Sequence, residues 1–383
     1  GSQEVGMGME LYKQSAAARD VWDRADRFTV AKYGVSLLRI VRTNPKELTV
    51  HFGGEIGETI QRNYMSLTRR CTSSGGDKGD AIPLFPDITP DSSSYTYRSP
   101  TGLLNSTQFT QIILITFGMA TVADMRAKSL VQKGAVFAGH SLGEYASLIA
   151  ISSLFTLEDV MDIGFFRGML MQSAVERDAQ GRSQYGMLAV DPSRLGGAAD
   201  ESVLAIAIAA ICEFGKGLLE VVNYNVRGAQ YVVAGALNQL AALRLVLDAV
   251  AKLGAPTNGD WQAHIARIAS DVLAKPIDRR PVRGRATIPL PGIDIPFHSS
   301  QLLPGVDEFR ALLHARIPPE NIDYSALHLR YIPNLTAVPF EVSREYFSLV
   351  HGITKSPIVA GVLDGWTDSA MDSADKIADL AAT

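Results

Sequence analysis

The sequence predicts a mixed α/β fold that combines a core containing a parallel sheet with a smaller α+β insert. Residues 134–139 form a short apolar run between Gly134 and Gly139, and a helical pattern follows directly. This is typical of a buried parallel strand that leads into a helix. Between about Gly186 and Ile293 the elements follow the order strand, helix, strand, strand, helix, which indicates a separate α+β insert.

Ahead of the apolar run the chain is predicted to be mostly helical. The apolar spacing predicts helices over residues 16–28, 55–69 and 107–130, and a short strand over residues 48–52. Residues 71–100 are rich in serine, glycine and proline and show no apolar period. We therefore expect this segment to be an excursion of turns and extended chain within one domain.

The same patterns predict the remaining elements. Helices are expected over residues 145–152, 157–175, 237–253, 305–316 and 343–354. Strands or short helices are expected over residues 186–190, 204–210, 219–223 and 231–234, with a final strand of the insert over 284–290. The acidic, alanine-rich residues from 367 onward are expected to form a tail or linker helix.

The composition argues against binding to nucleic acid or to a membrane. The 383 residues carry 36 Lys and Arg against 40 Asp and Glu, a formal net charge of −4, which gives no strongly basic field. Hydrophobic residues make up 46% and the mean hydropathy is +0.08, enough to bury a sizeable core. The longest apolar stretches, residues 111–121 and 203–212, are shorter than the roughly 20 residues that a membrane span needs.

We also expect a cytoplasmic protein without a metal. Cys71 and Cys212 are too few for a disulfide framework or a four-cysteine metal site, which fits a reducing compartment. Residues 1–5 show no basic segment ahead of an apolar one, so we expect no secretion signal. The sequence has no glycine-rich nucleotide motif after a strand and no histidine–carboxylate cluster at metal-ligand spacing.

The most informative segment is Gly-His-Ser-Leu-Gly at residues 139–143. It matches the G-x-S-x-G pattern and puts Ser141 on the turn between the predicted strand and helix. On such a turn, glycines allow strand and helix to approach closely while the hydroxyl points outward. The backbone N–H of Leu142, at the start of the helix, is then placed to stabilise a tetrahedral oxyanion. The pattern also occurs by chance, so the alternative is a structural turn serine.

A nucleophilic serine needs a base, and the sequence offers seven histidines. His140 adjoins the serine, but neighbours on a tight turn point in different directions, so we expect it to pack or to orient. His298 follows Pro-Phe in a proline-bounded loop just after the insert. From there a side chain can return to the cleft, so we predict His298 as the base, the alternative being a surface histidine.

Arg167 lies in a helical stretch that is nearly all apolar. A buried guanidinium without an anion is costly, so we expect a negative partner. The residues leave two partners open. One is Asp162 or Glu158 on the same helix, and the other is a substrate carboxylate, which arginine binds through two parallel hydrogen bonds.

Further motifs accompany these residues. They are Gly-His-Ser-Leu-Gly-Glu at 139–144, Arg-Gly-x-x-Met-Gln from Arg167, Tyr-Asn-x-x-x-x-Gln around Asn225, Pro-Phe-His ending at His298, and Tyr-Ile-Pro-Asn-Leu-Thr-Ala around Asn334. This set resembles the malonyl/acyl-CoA:acyl-carrier-protein transacylase family. Residues 6–12 and 288–296 are similar to the malonyl/palmitoyl transferase domain of the fungal fatty acid synthase β subunit.

The resemblance implies an architecture and a set of site residues. It implies an α/β-hydrolase-like core over residues 1–185 and 294–365, a ferredoxin-like subdomain over 186–293 and a tail over 366–383. It also implies Ser141 as the acyl-accepting nucleophile, His298 as its base, Arg167 as the ligand of the malonyl carboxylate and Leu142 as an oxyanion N–H donor, with Gln111, Asn225 and Phe297 lining the cleft. The family's histidine is oriented by a main-chain carbonyl, which we expect near Ser356.

The resemblance further implies the reaction and its partners. Malonyl, and long-chain acyl groups such as palmitoyl, would pass between CoA thioesters and an acyl carrier protein through an acyl-serine in fatty acid synthesis. The partners would be the phosphopantetheine-bearing carrier protein and other domains of a fatty acid synthase, with no cofactor in this domain. The family opens with Gly-Gln-Gly-Ser-Gln, which supplies a second oxyanion donor, whereas this sequence begins Gly1-Ser2-Gln3. We therefore expect that donor to be absent, which lowers the rate by about 10²–10³.

Three alternatives remain open from the sequence. One is a serine thioesterase or hydrolase, for which Asp294 is the nearest acidic candidate for a triad. Another is the same domain in a specialised synthase that makes short starter acyl chains for a polyketide. The third is a non-catalytic scaffold within a megasynthase.

Overall fold

The computed structural model describes residues 3–72, 78–151, 155–196, 199–317 and 322–366, so the expected tail from residue 367 lies outside the described residues. The helices are α1 (Met9–Gln14), α2 (Ala16–Tyr33), α3 (Leu37–Thr43), α4 (Gly54–Ser66), α5 (Thr107–Ala127), α6 (Leu142–Ile151), α7 (Leu157–Ser173), α8 (Glu201–Phe214), α9 (Leu237–Leu253), α10 (Trp261–Leu273), α11 (Val306–Arg316), α12 (Tyr324–Leu327), α13 (Arg344–Thr354) and α14 (Pro357–Asp364). The strands are β1 (Glu47–His51), β2 (Thr68–Thr72), β3 (Lys78–Pro83), β4 (Ser94–Arg98), β5 (Phe137–Ala138), β6 (Tyr185–Val190), β7 (Leu219–Val226), β8 (Gln230–Ala236), β9 (Thr287–Pro289) and β10 (Tyr331–Ile332).

The fold is mixed α/β, as the sequence predicts, and the chain divides into two compact units. One unit is built around residues 170–306, and we call it the small unit. The other contains residues 3–70, 79–169 and those from 307 onward, and we call it the large unit. In the described part of the chain, no helix combines the length and the apolar character that crossing a membrane requires.

The small unit contains a four-stranded antiparallel sheet in the order β7–β8–β6–β9. Its elements follow the chain order β6, α8, β7, β8, α9, β9, and α10 packs with α8 and α9. Residues of these helices and strands share one apolar core, including Ile211, Tyr231, Leu243, Val246 and Ile265. The helix predicted over residues 237–253 is confirmed at both ends.

The sequence prediction covers one of two further helices of the small unit. Residues 204–210, expected as a strand or short helix, are helical and belong to the longer, 14-residue helix α8. The Asp200 side chain caps its start by accepting from the N–H of Ser202. Helix α10 was not predicted, although its buried residues Ile265, Ile268 and Ala269 keep a helical spacing.

The segment between residues 71 and 100, expected to be turns and extended chain without an apolar period, contains the regular strand β4. Strand β4 pairs antiparallel with β1, with Tyr97 opposite Leu48 and both side chains buried. Tyr95 and Tyr97 alternate with polar residues in β4, which is the two-residue period of a strand. The period is too short to stand out among the surrounding serines and prolines. Helix α5 ends at Ala127 and not at residue 130, because Ser129 adopts a left-handed backbone.

Aromatic side chains fill the core of the large unit. The rings of Tyr33 and Phe165 stack with centroids 4.1 Å apart, and Tyr97 meets Phe109 edge to face at 4.9 Å. Helices α5 and α7 approach each other closely at Gly168, where a Cβ would overlap the backbone of Gln108. This close approach fixes the position of the residues next to Gly168 on α7.

A buried charge cluster also joins elements of the large unit. The Asp162 carboxylate of α7, 7% exposed, binds Lys32 Nζ at 2.6 Å and also pairs with Arg316 of α11. The Tyr33 hydroxyl donates to the same carboxylate. Burial and the neighbouring carboxylate raise the pKa of Tyr33, so its hydroxyl remains a donor.

We predict that Asp162→Ala destabilises the protein by about 3–5 kcal/mol, because it removes the buried carboxylate of Lys32 and leaves Arg316 with the longer, 4.0 Å contact to Asp159. Glu158→Ala is the control on the same helix, because Glu158 pairs with Arg24 at an exposed position. That change is expected to cost less than about 1 kcal/mol. Urea unfolding of both variants measures the difference, and equal losses would contradict the prediction.

Candidate functional site

Ser141 lies on a turn between two regular elements of the large unit. Strand β5 precedes it and pairs in parallel with β10, with Phe137 opposite Tyr331. Helix α6 begins immediately after it, at Leu142. The strand is shorter and less buried than predicted for residues 134–139, because in the described residues its sheet consists of β5 and β10 and Ala138 is exposed.

The turn requires glycine at its first position. A Cβ at Gly139 would overlap the carbonyl group of Gly143 on the first turn of α6, whereas a Cβ at Gly143 would meet nothing within 4 Å. The N–H of Gly143 donates to the carbonyl of His140 at 2.9 Å, and the N–H of Glu144 donates to that of Ser141 at 3.0 Å. These two bonds hold the turn tightly against the helix.

The backbone of Ser141 is strained in the way that a nucleophile turn requires. Its φ of 53° lies in the left-handed region, which is uncommon for a residue other than glycine. Such outliers cluster at active sites, where the surrounding structure holds them. The N–H of Leu142 is among the first N–H groups of α6, which have no intrahelical partner, and the helix dipole adds positive potential there.

Arg167 is partly buried beside this helix. Its Nη1 donates to Gln111 Oε1 at 2.6 Å, and its guanidinium carbon lies 5.3 Å from the ring centroid of Tyr145 on α6. Gln111 is itself oriented by donating from Nε2 to Thr107 Oγ1 at 2.9 Å. Three parts of the large unit, α5, α6 and α7, therefore hold this cation.

The alternative that Asp162 or Glu158, on the same helix, pairs with Arg167 is wrong. Asp162 binds Lys32 and Arg316, and Glu158 binds Arg24. The reason is helical geometry, because residues five and nine positions before Arg167 lie on other faces of α7. Within the described residues no carboxylate forms an ion pair with Arg167.

The electrostatics keep this cation charged. Burial lowers the pKa of Arg167, but an arginine side chain still does not deprotonate in a protein. Burial also raises the pKa of Tyr145, so its phenol is neutral and supplies no negative charge. In the part of the chain that the structure describes, the side chains in contact with Arg167 are neutral, and a cation in such a setting is suited to bind a small anion.

The small unit carries the other predicted residues. His298 has a left-handed backbone, with φ of 63°, in a loop where Ser299 Oγ donates to the carbonyl of Pro296 at 2.7 Å. Phe297 packs against the sheet residues Met187 and Val232.

Two more residues of the small unit bear on the sequence predictions. Asn225 is exposed at a bulge of β7, where the register shifts between Tyr224 and Val226. Asp294, the candidate for an acidic triad member, pairs with Arg177, whose Nη2 lies 3.1 Å from its Oδ1.

The predicted site residues therefore fall into two groups. The large unit holds Ser141, Leu142, Gln111 and Arg167, while the small unit holds His298, Phe297 and Asn225. The pairing of Ser141 with His298 stays a prediction. The described residues contain no group of three or more His, Cys, Asp or Glu side chains suited to a metal ion.

Sequence reasoning assigned no role to Asn334. Its Oδ1 accepts from the backbone N–H of Ser141 at 2.8 Å, so it contacts the turn directly. The only signal in the sequence was its place in the Tyr-Ile-Pro-Asn motif. That motif does not reveal a contact with a residue 193 positions away.

We predict that Gly139→Ala and Gly143→Ala differ sharply in their effect on stability. The added methyl group at position 139 meets backbone, so strand and helix must separate, at a cost of about 1–3 kcal/mol. At position 143 it meets open space within a helix, where alanine is favoured over glycine by about 1 kcal/mol. Thermal unfolding of both variants measures this, and a Gly139→Ala protein as stable as the parent would refute the described turn.

Comparison with known proteins identifies the family. The sequence matches the acyl transferase domain family over residues 1–357. It is 45% identical over 376 residues to the fatty acid synthase beta subunit aflB of Emericella nidulans, and 42% identical over 378 residues to the fatty acid synthase subunit beta of Saccharomyces cerevisiae. Each alignment covers 96% of this chain and 18% of the relative, so the chain spans about a fifth of their length.

A solved structure supports the fold. A malonyl-transacylase in complex with a type II polyketide synthase acyl-carrier protein aligns over 92% of this chain and 78% of its own, with 17% identity and a TM-score of 0.50. At that identity the likeness concerns the fold alone. From the family match and the fungal relatives together, this chain belongs to the acyl transferase domain family.

Proposed function

We propose that this chain transfers malonyl groups between coenzyme A and an acyl carrier protein, through an ester on Ser141. The observation that carries the proposal is Arg167, a partly buried cation beside α6 that pairs with no carboxylate of the described chain. Malonyl thioesters bring a free carboxylate that supplies the missing negative charge. Two parallel hydrogen bonds from a guanidinium to that carboxylate would fix the acyl group in one pose.

The proposed reaction has two halves. His298 accepts the proton of the Ser141 hydroxyl as the oxygen attacks the thioester carbonyl, and the thiolate of coenzyme A leaves and takes that proton. The thiol of a carrier-protein phosphopantetheine then gives its proton to His298 and attacks the acyl-serine carbonyl, and the Ser141 oxygen leaves with that proton. The N–H of Leu142, at the start of α6, would bind the oxyanion in both halves. The reaction needs no cofactor in this domain.

The relatives support the proposed setting. They are beta subunits of fatty acid synthases, so we propose that the chain works in fatty acid synthesis, beside other domains of a synthase. A carrier protein bound to a malonyl-transacylase is the subject of the aligned structure. Palmitoyl transfer is a second proposed activity, for which Phe166 and Met169, apolar neighbours of Arg167 on α7, would offer contacts to a long chain.

We also propose the finer architecture implied by the sequence. A ferredoxin-like subdomain is supported by the order β7–β8–β6–β9 and the β-α-β-β-α-β succession of the small unit. An α/β-hydrolase-like core is supported by the strand–turn–helix at Ser141 and by the parallel pair β5 and β10.

Hydrolysis is the competing outcome of an acyl-serine. Its usual acidic triad member is not supported, because Asp294 is engaged by Arg177. Incubation with radiolabelled malonyl-CoA separates the two reactions. Stable label on the protein that is lost in Ser141→Ala, and that moves to an added carrier protein, supports transfer, whereas rapid release of free malonate would establish a hydrolase.

We predict that Arg167→Ala selectively lowers malonyl loading. Losing charge-assisted hydrogen bonds worth about 1.5–3 kcal/mol corresponds to a loss of about 10- to 100-fold in malonyl loading. Palmitoyl loading is expected to be unchanged or faster, because the change removes a buried charge from the path of an apolar chain.

The matched control is Arg24→Ala, which removes one positive charge from an exposed ion pair of the same unit. It is expected to leave both loading rates unchanged. The measurement is the rate of label transfer from malonyl-CoA and palmitoyl-CoA to each variant. Equal losses on both substrates in Arg167→Ala would count against the carboxylate-binding role.

A further inference from the structure

Asn334 holds both sides of the turn at Ser141. Its Oδ1 accepts from the N–H of Ser141 at 2.8 Å, and its Nδ2 donates to the carbonyl of Gly139. One side-chain amide thus spans His140 and ties the end of β5 to the start of α6. The amide orientation follows from the partners, because a backbone N–H only donates and a carbonyl only accepts.

The position of Asn334 is set by the sheet. Strands β5 and β10 are parallel, so the segments that follow them leave the sheet at the same edge. Asn334 comes two residues after β10 and Ser141 three residues after β5. The two residues are far apart in sequence and meet because their strands are neighbours.

Two further residues hold Asn334 itself. The Glu144 side chain accepts through Oε1 from the N–H of Asn334 at 2.9 Å and from the Tyr331 hydroxyl at 2.6 Å. Burial and the bond to Glu144 raise the pKa of Tyr331, so this hydroxyl stays protonated and keeps donating. Glu144 lies on the first turn of α6, so the bonds form a closed loop from the helix through Asn334 to the serine.

We propose that Asn334 is a positioning residue for Ser141, with Glu144 and Tyr331 keeping its amide in place. The backbone of Ser141 is left-handed, and such a conformation persists only where its surroundings hold it. We call the two hydrogen bonds from the Asn334 amide, to Ser141 and to Gly139, the clamp. Without it the turn relaxes, and both the Ser141 hydroxyl and the N–H of Leu142 leave their reacting positions. The proposal rests on the proposed role of Ser141 as the acyl acceptor.

A purely structural brace makes a different prediction. It would lower stability while leaving the acylation rate of the folded protein unchanged. A positioning residue lowers the rate constant of acyl-serine formation while leaving the KM for malonyl-CoA nearly unchanged, because the binding contacts of the substrate remain. Misplacement of a reacting group by about 1 Å costs about 100-fold in rate.

The decisive variant is Asn334→Asp, which keeps the shape and the acceptor but loses the donor. Above the pKa of the new carboxyl, an anionic oxygen faces the carbonyl of Gly139, and the clamp opens. Below that pKa the protonated carboxyl donates to the carbonyl again. The ratio of variant to parent acylation rate is therefore expected to be lowest where the carboxyl is ionised and to rise as the pH falls toward its pKa, and the base affects both proteins equally.

Asn44→Asp is the matched control. Asn44 makes the same kind of clamp elsewhere in the large unit, because its Oδ1 accepts from the N–H of Leu104 at 2.9 Å and its Nδ2 donates to the carbonyl of Thr101 at 3.2 Å. The same substitution there is expected to lower stability similarly. Its acylation rate should match that of the parent at every pH.

The experiment is single-turnover labelling with malonyl-CoA from pH 5 to 8, on protein checked for folding by circular dichroism. We expect Asn334→Asp to acylate about 10- to 100-fold more slowly at pH 8, with a KM within about 3-fold of the parent. If Asn334→Asp does not fold, Asn334→Ala decides, with the same loss in rate and a ratio that does not vary with pH.

Two results overturn different claims. A parent protein that takes no label on Ser141 refutes the proposed function. A labelled parent with an unchanged acylation rate in the folded Asn334 variant refutes the positioning role alone. A loss in Asn334→Asp that is matched by Asn44→Asp also refutes the positioning role.

Discussion

The site depends on one constraint, the close contact between strand β5 and helix α6 at Gly139. Strand and helix are so close that no Cβ fits at Gly139. The chain reverses between them within a few residues, and Ser141 adopts a left-handed backbone in that turn. The helix that follows begins at the residue after the serine, so the N–H of Leu142 lies at the helix N-terminus next to Ser141. The same helix carries Tyr145, whose ring packs against Arg167. The location of the cation is thereby tied to the location of the serine.

Helix α7 shows two ways of treating a buried charge. Asp162 is compensated by Lys32, Arg316 and a tyrosine hydroxyl, so it joins helices within the core. Arg167 has a glutamine oxygen and an aromatic face instead. Neutral partners compensate a buried cation less than a carboxylate does. Under the proposed function, the carboxylate of the substrate would supply the negative charge that these neutral partners lack.

The sequence predicted what local patterns encode. The helix at Leu237–Leu253 and the strand–turn–helix at Ser141 depend on neighbouring residues, and the structure has both. The strand at Ser94–Arg98 escaped prediction because its evidence lies in pairing with β1, about 50 residues earlier. The partner of Arg167 escaped for a similar reason, since Gln111 lies on another helix and the candidate acids lie on the wrong faces of α7.

The features that the sequence alone could not predict are mostly contacts between residues that are distant in the sequence. Asn334 and Ser141 meet because β5 and β10 are neighbours in a parallel pair, and no periodicity in either segment encodes that neighbour relation. Residues in contact across a fold become visible only when the topology is known. The roles proposed for Ser141 and Leu142, by contrast, rest on a five-residue motif and the helix behind it.

Under the proposed function, two positive features near α6 act on a dicarboxylic half-thioester. The N-terminal N–H groups of the helix favour the negative charge that develops on the attacked carbonyl, which any acyl thioester supplies. The Arg167 cation favours a second negative charge, which malonyl carries in its free carboxylate and a simple fatty acyl chain lacks. Under the proposed function both acyl groups share the first interaction, and only malonyl uses the second. Discrimination between malonyl and long-chain acyl groups then depends on a single guanidinium. Loading of a long chain depends on how the apolar residues around Arg167 accommodate a group that has no carboxylate to pair with it.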